Sequence, residues 1–227
     1  MKLKKAVLTG SFVGFEVVSD RKTFLAIIKN IFDEIERNII GEKTFEIIQG
    51  NNFQAVFDQP EDAIIAGILI RAGLRSKTMV PALSSHKQYM VPTDKLWDAK
   101  ISIGVGKVDL LSENHNESYG DAFDFSRFGL TSLQSKKYKM AIRSDSENLN
   151  NTFTVLNKLA DAIINRWTNL SSEIVYRYLM YNETQQKMAK VMGISQPAVH
   201  KRLALANIDA IKAYIDFSQK LILNRHN

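Results

Sequence analysis

The chain's most chemically pointed residues crowd into one short segment, TQQKMAKVMGISQPAVHKRL, at positions 184–203. Gln185, Gln186, Lys187, Lys190, Ser195, Gln196, His200 and Lys201 are its polar set. A glutamine can pair with an adenine edge through two hydrogen bonds, and a lysine can reach guanine O6/N7 or a phosphate. Lysines ahead of such a group contact the sugar-phosphate backbone, where charge positions a protein without reading sequence.

The intervening residues supply the frame. Thr184 caps a short helix whose Met188, Val191 and Met192 are expected to face inward, with the small Ala189 where two helices cross closely. Gly193 supplies the positive φ that most residues resist. Ser195 caps the next helix, Pro197 is tolerated in its first turn, and Val199 and Leu203 bury one face. That is a helix-turn-helix, and Phe153–Trp167 and Ser171–Met180 predict two supporting helices upstream. Charge agrees: residues 152–227 hold ten Lys and Arg against five Asp and Glu, whereas residues 1–151 are nearly balanced. A bundle used only for protein contacts would share the caps and the apolar spacing, and the charge alone would suit a solubilising surface; fold, capping and charge together favour nucleic acid.

The first two thirds of the chain read differently. Lys4–Thr9 predicts a buried strand, and Asp20–Ile40 a helix carrying Phe24, Ile27, Ile28, Ile31, Ile35 and Ile39 at helical spacing. Thr44–Ile48 and Gln54–Phe57 flank the turn Gly50-Asn51-Asn52 as a hairpin. Pro60 opens a helix to about Arg75, and Lys100–Val108 alternates as a strand. This order predicts a ferredoxin-like split βαβ plan, a four-stranded antiparallel sheet with both helices on one face. A helix over Tyr119–Leu133 and a strand near Lys139–Ile142 follow. Beyond the polar stretch Ser144–Asn151 the pattern is wholly helical. The predicted class is therefore α+β: a ferredoxin-like domain at 1–146, then an all-α helix-turn-helix domain at 147–227.

Composition narrows the function classes. The chain has 227 residues, 45% hydrophobic and 24% charged, with a formal net charge of +6, so a wholly disordered chain is excluded. It has no cysteine, which removes disulfides, thiolate catalysis and cysteine-ligated metals. His86 and His115 fall in loops and His226 in the tail, with no metal-ligand spacing, so no metal or cofactor is expected. Lys2, Lys4 and Lys5 precede the apolar stretch Ala6–Phe15, but Thr9, Gly10 and Ser11 interrupt it and no A-x-A site follows. No membrane association and a cytoplasmic location are the expectation.

Several short motifs recur in a known pattern. Thr9-Gly10-Ser11-Phe12-Val13-Gly14 follows the first strand, Gln49-Gly50-Asn51-Asn52-Phe53 forms the hairpin turn, and Ile101-Ser102-Ile103-Gly104-Val105-Gly106 is a core strand. Tyr119-Gly120-Asp121-Ala122-Phe123 opens the next helix. With the C-terminal segment, this resembles the bacterial SatD-like family over nearly the whole chain. Gln185-x-x-Met-Ala and Gly-Ile-Ser-Gln-x-Ala-Val resemble sigma-factor region four, and the N-terminal part is more distantly similar to class III nucleotidyl cyclases. In cyclases, acidic residues in the first-strand motif and hairpin turn hold two metal ions. The resemblance places those acids at Ser11 and Asn51, both neutral here. It also places Asp124 where cyclases carry an asparagine, with Arg127 one residue short of their arginine. The resemblance therefore implies a non-catalytic domain for dimerisation or ligand sensing, with Ser11, Phe12, Asn51 and Arg127 as ligand-binding residues for a nucleotide or other small anion. Glu46 is the carboxylate that could substitute.

Arg71 and Arg75, four apart on the second predicted helix, have the spacing to clamp a phosphate, though such pairs more often form a solvated face. Phe123, Phe125 and Phe128 read as core or a dimer contact. The function expected is a DNA-binding transcriptional regulator acting on double-stranded DNA, its N-terminal domain serving homodimerisation or ligand sensing, without catalytic residues. The alternative is a nucleotide-processing enzyme that carries the helix-turn-helix as a targeting module; a scaffold for protein contacts is the third.

Overall fold

A computed structural model describes residues 4–15, 18, 20–40, 45–48, 51–78, 93, 95–109 and 118–224. Most of the segment between Thr78 and Trp97, together with His86, His115 and His226, lies outside them. Strand β1 (Lys5–Val13) leads into α1 (Arg21–Ile35), which Asp20 caps through its carboxylate on the Thr23 N–H. The helix ends in a π-helical turn, Glu36–Ile40. The hairpin is β2 (Phe45–Ile48) and β3 (Asn52–Phe57), followed by α2 (Asp62–Lys77) and β4 (Asp98–Gly106). Then come α3 (Asp121–Leu133) and β5 (Met140–Ser144). The chain finishes with α4 (Glu147–Ile164), α5 (Asn169–Tyr181), α6 (Gln185–Met192), α7 (Gln196–Leu205) and α8 (Ile208–Leu223). The described residues thus form an α+β structure with one five-stranded sheet and eight α-helices.

The sheet order is β2-β3-β1-β4-β5. The first four strands are antiparallel throughout, and β5 joins β4 in parallel. The expected short strand near Lys139–Ile142 is therefore a fifth member of the sheet. A parallel pair needs a crossover connection, and α3 provides it. Strand alternation then assigns the two faces. Leu8, Phe12, Phe53, Ile101 and Ile103 lie under α1 and α2, with Phe12 stacked on Phe53 at 4.8 Å and edge-on to Phe24 of α1 at 5.4 Å. The other face carries Val7, Thr9, Ser102 and Gly104 toward α3. There the backbone of α3 lies so close that a Cβ on Gly104 would meet the Ala122 carbonyl oxygen at 2.1 Å. Glycine is what permits that approach.

The segment DAIIAGILIRAGLRSK of α2 is apolar on every side, as a helix enclosed by protein must be. Its Gly67 faces Ile101, Ile103 and Leu8 of the sheet, while Gly73 lies against Tyr176 of α5. A single core of buried residues therefore runs from Ala6 to Ile222. The polar stretch after β5 is structured: the Ser146 hydroxyl caps α4, and the Asn150 amide takes both the N–H and the C=O of Ser144. The Asp161 carboxylate receives the N–H groups of Lys139 and Met140. Helix α4 thereby closes both ends of the β5 edge, which an exposed sheet edge requires.

Arg71 and Arg75 neither line a solvated face nor clamp a phosphate. They are 0% and 1% exposed and sit between the sheet and the C-terminal helices. Arg71 grips both oxygens of Asp98 through Nε at 2.9 Å and Nη2 at 3.1 Å, pairs with Asp161 through Nη1, and donates to the Asn165 side chain at 2.8 Å. Arg75 donates to Asp98 at 2.8 Å and to the Asn165 and Trp167 carbonyls. Lys139 completes the Asp98 shell at 2.8 Å. Burial alone would raise the Asp98 carboxyl, but Arg71, then Lys139 and Arg75, hold it far below the ordinary carboxylate range. The same burial pulls the Arg75 guanidinium below its usual value, and neighbouring Arg71 adds to that pull.

Candidate functional site

The site at residues 184–203 is built from three caps and two apolar pairs. Asn182, in the left-handed region at φ 47°, ends α5. The Thr184 hydroxyl accepts from the Lys187 N–H and starts α6. Beside it the buried Glu183 carboxylate receives Arg177 at 2.8 Å and Lys187 at 3.2 Å. At the other end Gly193 takes φ +63°, and the N–H groups of Gly193 and Ile194 both return to the Ala189 carbonyl. That left-handed residue is what turns the chain sharply enough to start α7 immediately. The Ser195 hydroxyl then accepts from the Ala198 N–H, with Pro197 in the first turn.

Met188 and Ala189 of α6 and Val199 and Leu203 of α7 are buried. The expected inward position of Val191 is corrected: it is exposed, and Met192 is partly buried. At about 100° per residue the stripe Met188–Ala189–Met192 is narrow, and position 191 falls to one side of it. Trp167, buried at the α4–α5 corner, donates its indole N–H to the Ala206 carbonyl at the end of α7 at 2.9 Å. The same tryptophan's carbonyl accepts Arg75, so the buried arginine network reaches the end of α7 through one residue.

Gln186, Lys187, Lys190, Ser195, Gln196, His200 and Lys201 are exposed, and Gln185 is partly buried. Lys201 is two residues past Val199 and two before Leu203, which puts it opposite the buried stripe at helical spacing. His200 flanks it. The two helices so leave amide, imidazole and ammonium groups exposed while their apolar groups are buried. Such a surface can hydrogen-bond base edges and neutralise phosphates.

The ligand-binding set expected from the N-terminal half is not brought together as a group. Ser11 lies on the α3 side of the sheet with Thr9, whereas Phe12 points to the opposite side into the core beneath α1. Asn51 holds the hairpin turn: its amide donates to the Phe12 carbonyl at 3.2 Å, while the Phe12 N–H returns to the Asn51 carbonyl at 2.9 Å. Arg127 reaches an open groove of about 300 Å3 that Thr9, Asn52, Gln54 and Leu130 also line. It lies 3.7 Å from Asp124 and over the Phe123 ring. Within that groove Gln54 donates to Thr9 at 2.9 Å, and Thr9 shares a hydrogen bond with Ser126 of α3. The motifs do not single out Thr9, Asn52 and Gln54 as groove-lining residues; the strand alternation that puts Ser11, Thr9 and Gln54 on one face is the signal that could. Phe123 is buried and Phe128 exposed, so the phenylalanine cluster divides between core and surface. Among the described residues no group of three or more His, Asp or Glu stands where it would hold a metal ion, and no helix is long and apolar enough to cross a membrane.

No family model matches the chain, and no curated protein matches it in sequence. Among solved structures, one of a bacterial light-regulated adenylyl cyclase is similar with a TM-score of 0.39 and 16% identity, over 63% of this chain and 76% of that one. A second structure of a bacterial light-regulated adenylyl cyclase gives 0.39 and 15%, over 63% of this chain and 43% of that one. A likeness so slight assigns neither a fold family nor an activity.

Proposed function

We propose that the chain is a DNA-binding protein, a transcriptional regulator, whose α6 and α7 form a helix-turn-helix that docks in the major groove of double-stranded DNA. The observation that carries this reading is the two-sided α7: Val199 and Leu203 hold it to the protein while Gln196, His200 and Lys201 are offered to solvent. Lys187 and Lys190 on α6 supply the phosphate contacts. Mobility-shift titration of a random duplex pool tests it: the wild type should shift the duplex at low salt, and Lys201→Glu should weaken binding about tenfold or more. No shift at low salt would refute the reading.

In the same reading the N-terminal half is a ferredoxin-like, SatD-like domain with a degenerate cyclase plan, acting in the cytoplasm in dimerisation or in sensing a small anion. The antiparallel order β2-β3-β1-β4 with α1 and α2 on one face supports that plan. The enzyme alternative is disfavoured by Asn51, whose amide is spent on the Phe12 carbonyl, and by the neutral Ser11 beside β3. The reading divides the labour at 146/147 even though one core spans both halves.

A further inference from the structure

A second cleft lies at the opposite end of the sheet, between the C-terminal part of α3, strand β5 and α4. It encloses about 160 Å3. Lys136, Arg143 and Lys158 line it with the polar Thr154 and Asn157, over an apolar floor that includes Leu133 and Ile142. No carboxylate is among the described residues that line it.

Arg143 is the informative member. It sits on the α3 side of the sheet, opposite Gly104 in the β4–β5 register, with its stem against Gly129 of α3. A Cβ on Gly129 would meet the Arg143 Cγ at 3.2 Å. Its Nε is shielded from solvent and has no partner. A cationic side chain kept partly from water favours an anionic partner, and none of the described residues lining the cleft supplies one. Asn150 and Asp161 close the two ends of the β5 edge, which argues for a compact occupant over an added strand.

We propose that this cleft binds a small organic anion: a body of about benzene size bearing a carboxylate or a phosphate. An apolar cavity of about 150 Å3 holds benzene, so the volume suits such a body. The terminal N–H groups of the Arg143 guanidinium take the charged group as a fork, Lys136 and Lys158 add charge, and the Tyr138 ring, 5.3 Å from the Lys158 ammonium, flanks the entrance.

Isothermal titration of the full chain with benzoate, phenyl phosphate and inorganic phosphate tests the proposal without reference to DNA. Benzoate or phenyl phosphate should bind the wild type. Arg143→Met should weaken binding tenfold or more, and Arg143→Lys should retain part of it, because charge survives while the fork is lost. Arg127→Met, in the separate groove, should leave binding unchanged; circular dichroism of each variant checks that it is folded. Whichever of the two binds more tightly names the charged group. The proposal is overturned if neither binds at millimolar concentration, if Arg143→Met binds as well as wild type, or if inorganic phosphate alone matches phenyl phosphate.

Discussion

Replacing Arg71 by methionine removes a buried cation that two buried carboxylates, Asp98 and Asp161, share. Arg71 makes four hydrogen bonds, two to Asp98 and one each to Asp161 and Asn165. Asp98 retains Arg75 and Lys139, but Asp161 loses Arg71, the one cation paired with it among the described residues, and keeps two backbone N–H donors. Breaking a buried pair by deleting one partner costs about 3–5 kcal/mol. Domains hold about 5–15 kcal/mol in all, so the loss runs from about a fifth of a large total to most of a small one. At about 2–4 °C per kcal/mol for a chain of this size, the melting temperature should fall by about 6–20 °C. Urea unfolding followed by circular dichroism measures the free-energy loss, and a thermal melt measures the temperature shift. The double variant Arg71→Met/Asp161→Asn removes both charges while an amide oxygen still accepts from Lys139 and Met140. It should be less destabilised than the sum of the single changes by about 1 kcal/mol or more. A loss under about 1 kcal/mol for Arg71→Met, or strict additivity in the double variant, would refute the assignment of this network as the pin between sheet and C-terminal helices.

Two further predictions follow from the same packing. Because the folded Asp98 carboxyl is held below its unfolded value, its contribution is complete above the unfolded pKa of about 3.9 and is lost as pH falls toward the folded one. Asp98→Asn should therefore be less stable than wild type at neutral pH, with the difference shrinking in acid; a difference that stays constant or grows in urea titrations at descending pH would contradict it. Gly104→Ala should cost about 3 kcal/mol or more, since the new methyl would meet backbone of α3 at 2.1 and 2.5 Å. Gly67→Ala meets only side-chain atoms at 3.6 Å or beyond and should be neutral or stabilising by about 1 kcal/mol; equal thermal shifts for the two would contradict the close approach of α3.

What the sequence disclosed was local. The caps Thr184 and Ser195, the turn glycine Gly193, and the apolar spacing of Val199 and Leu203 are each decided within a few residues, and each is found where the pattern placed it. Arg71 and Arg75 show the opposite case. A spacing of four says that two side chains share a helix face, but their burial is set by Asp98, Asp161 and Trp167, the last two about ninety residues away. The all-round apolar character of α2 was the cue that no face of it meets water. Ser11 and Phe12 were grouped because they adjoin in a motif, yet adjacent strand residues point to opposite faces, so Phe12 packs under α1 while Ser11 looks toward α3. The parallel β4–β5 pairing and the clefts beside α3 depend on contacts between distant segments, which no local pattern encodes.

The exposed face of α7 is tested most directly by fluorescence anisotropy of a labelled duplex pool, titrated with wild type and Lys201→Glu over a salt series. A helix-turn-helix docked on DNA predicts wild-type binding that weakens steeply with salt. It also predicts a Lys201→Glu variant bound about tenfold or more weakly, with a log–log salt slope smaller by about one. Wild-type binding that is absent at low salt, or Lys201→Glu binding with unchanged affinity and slope, would contradict it.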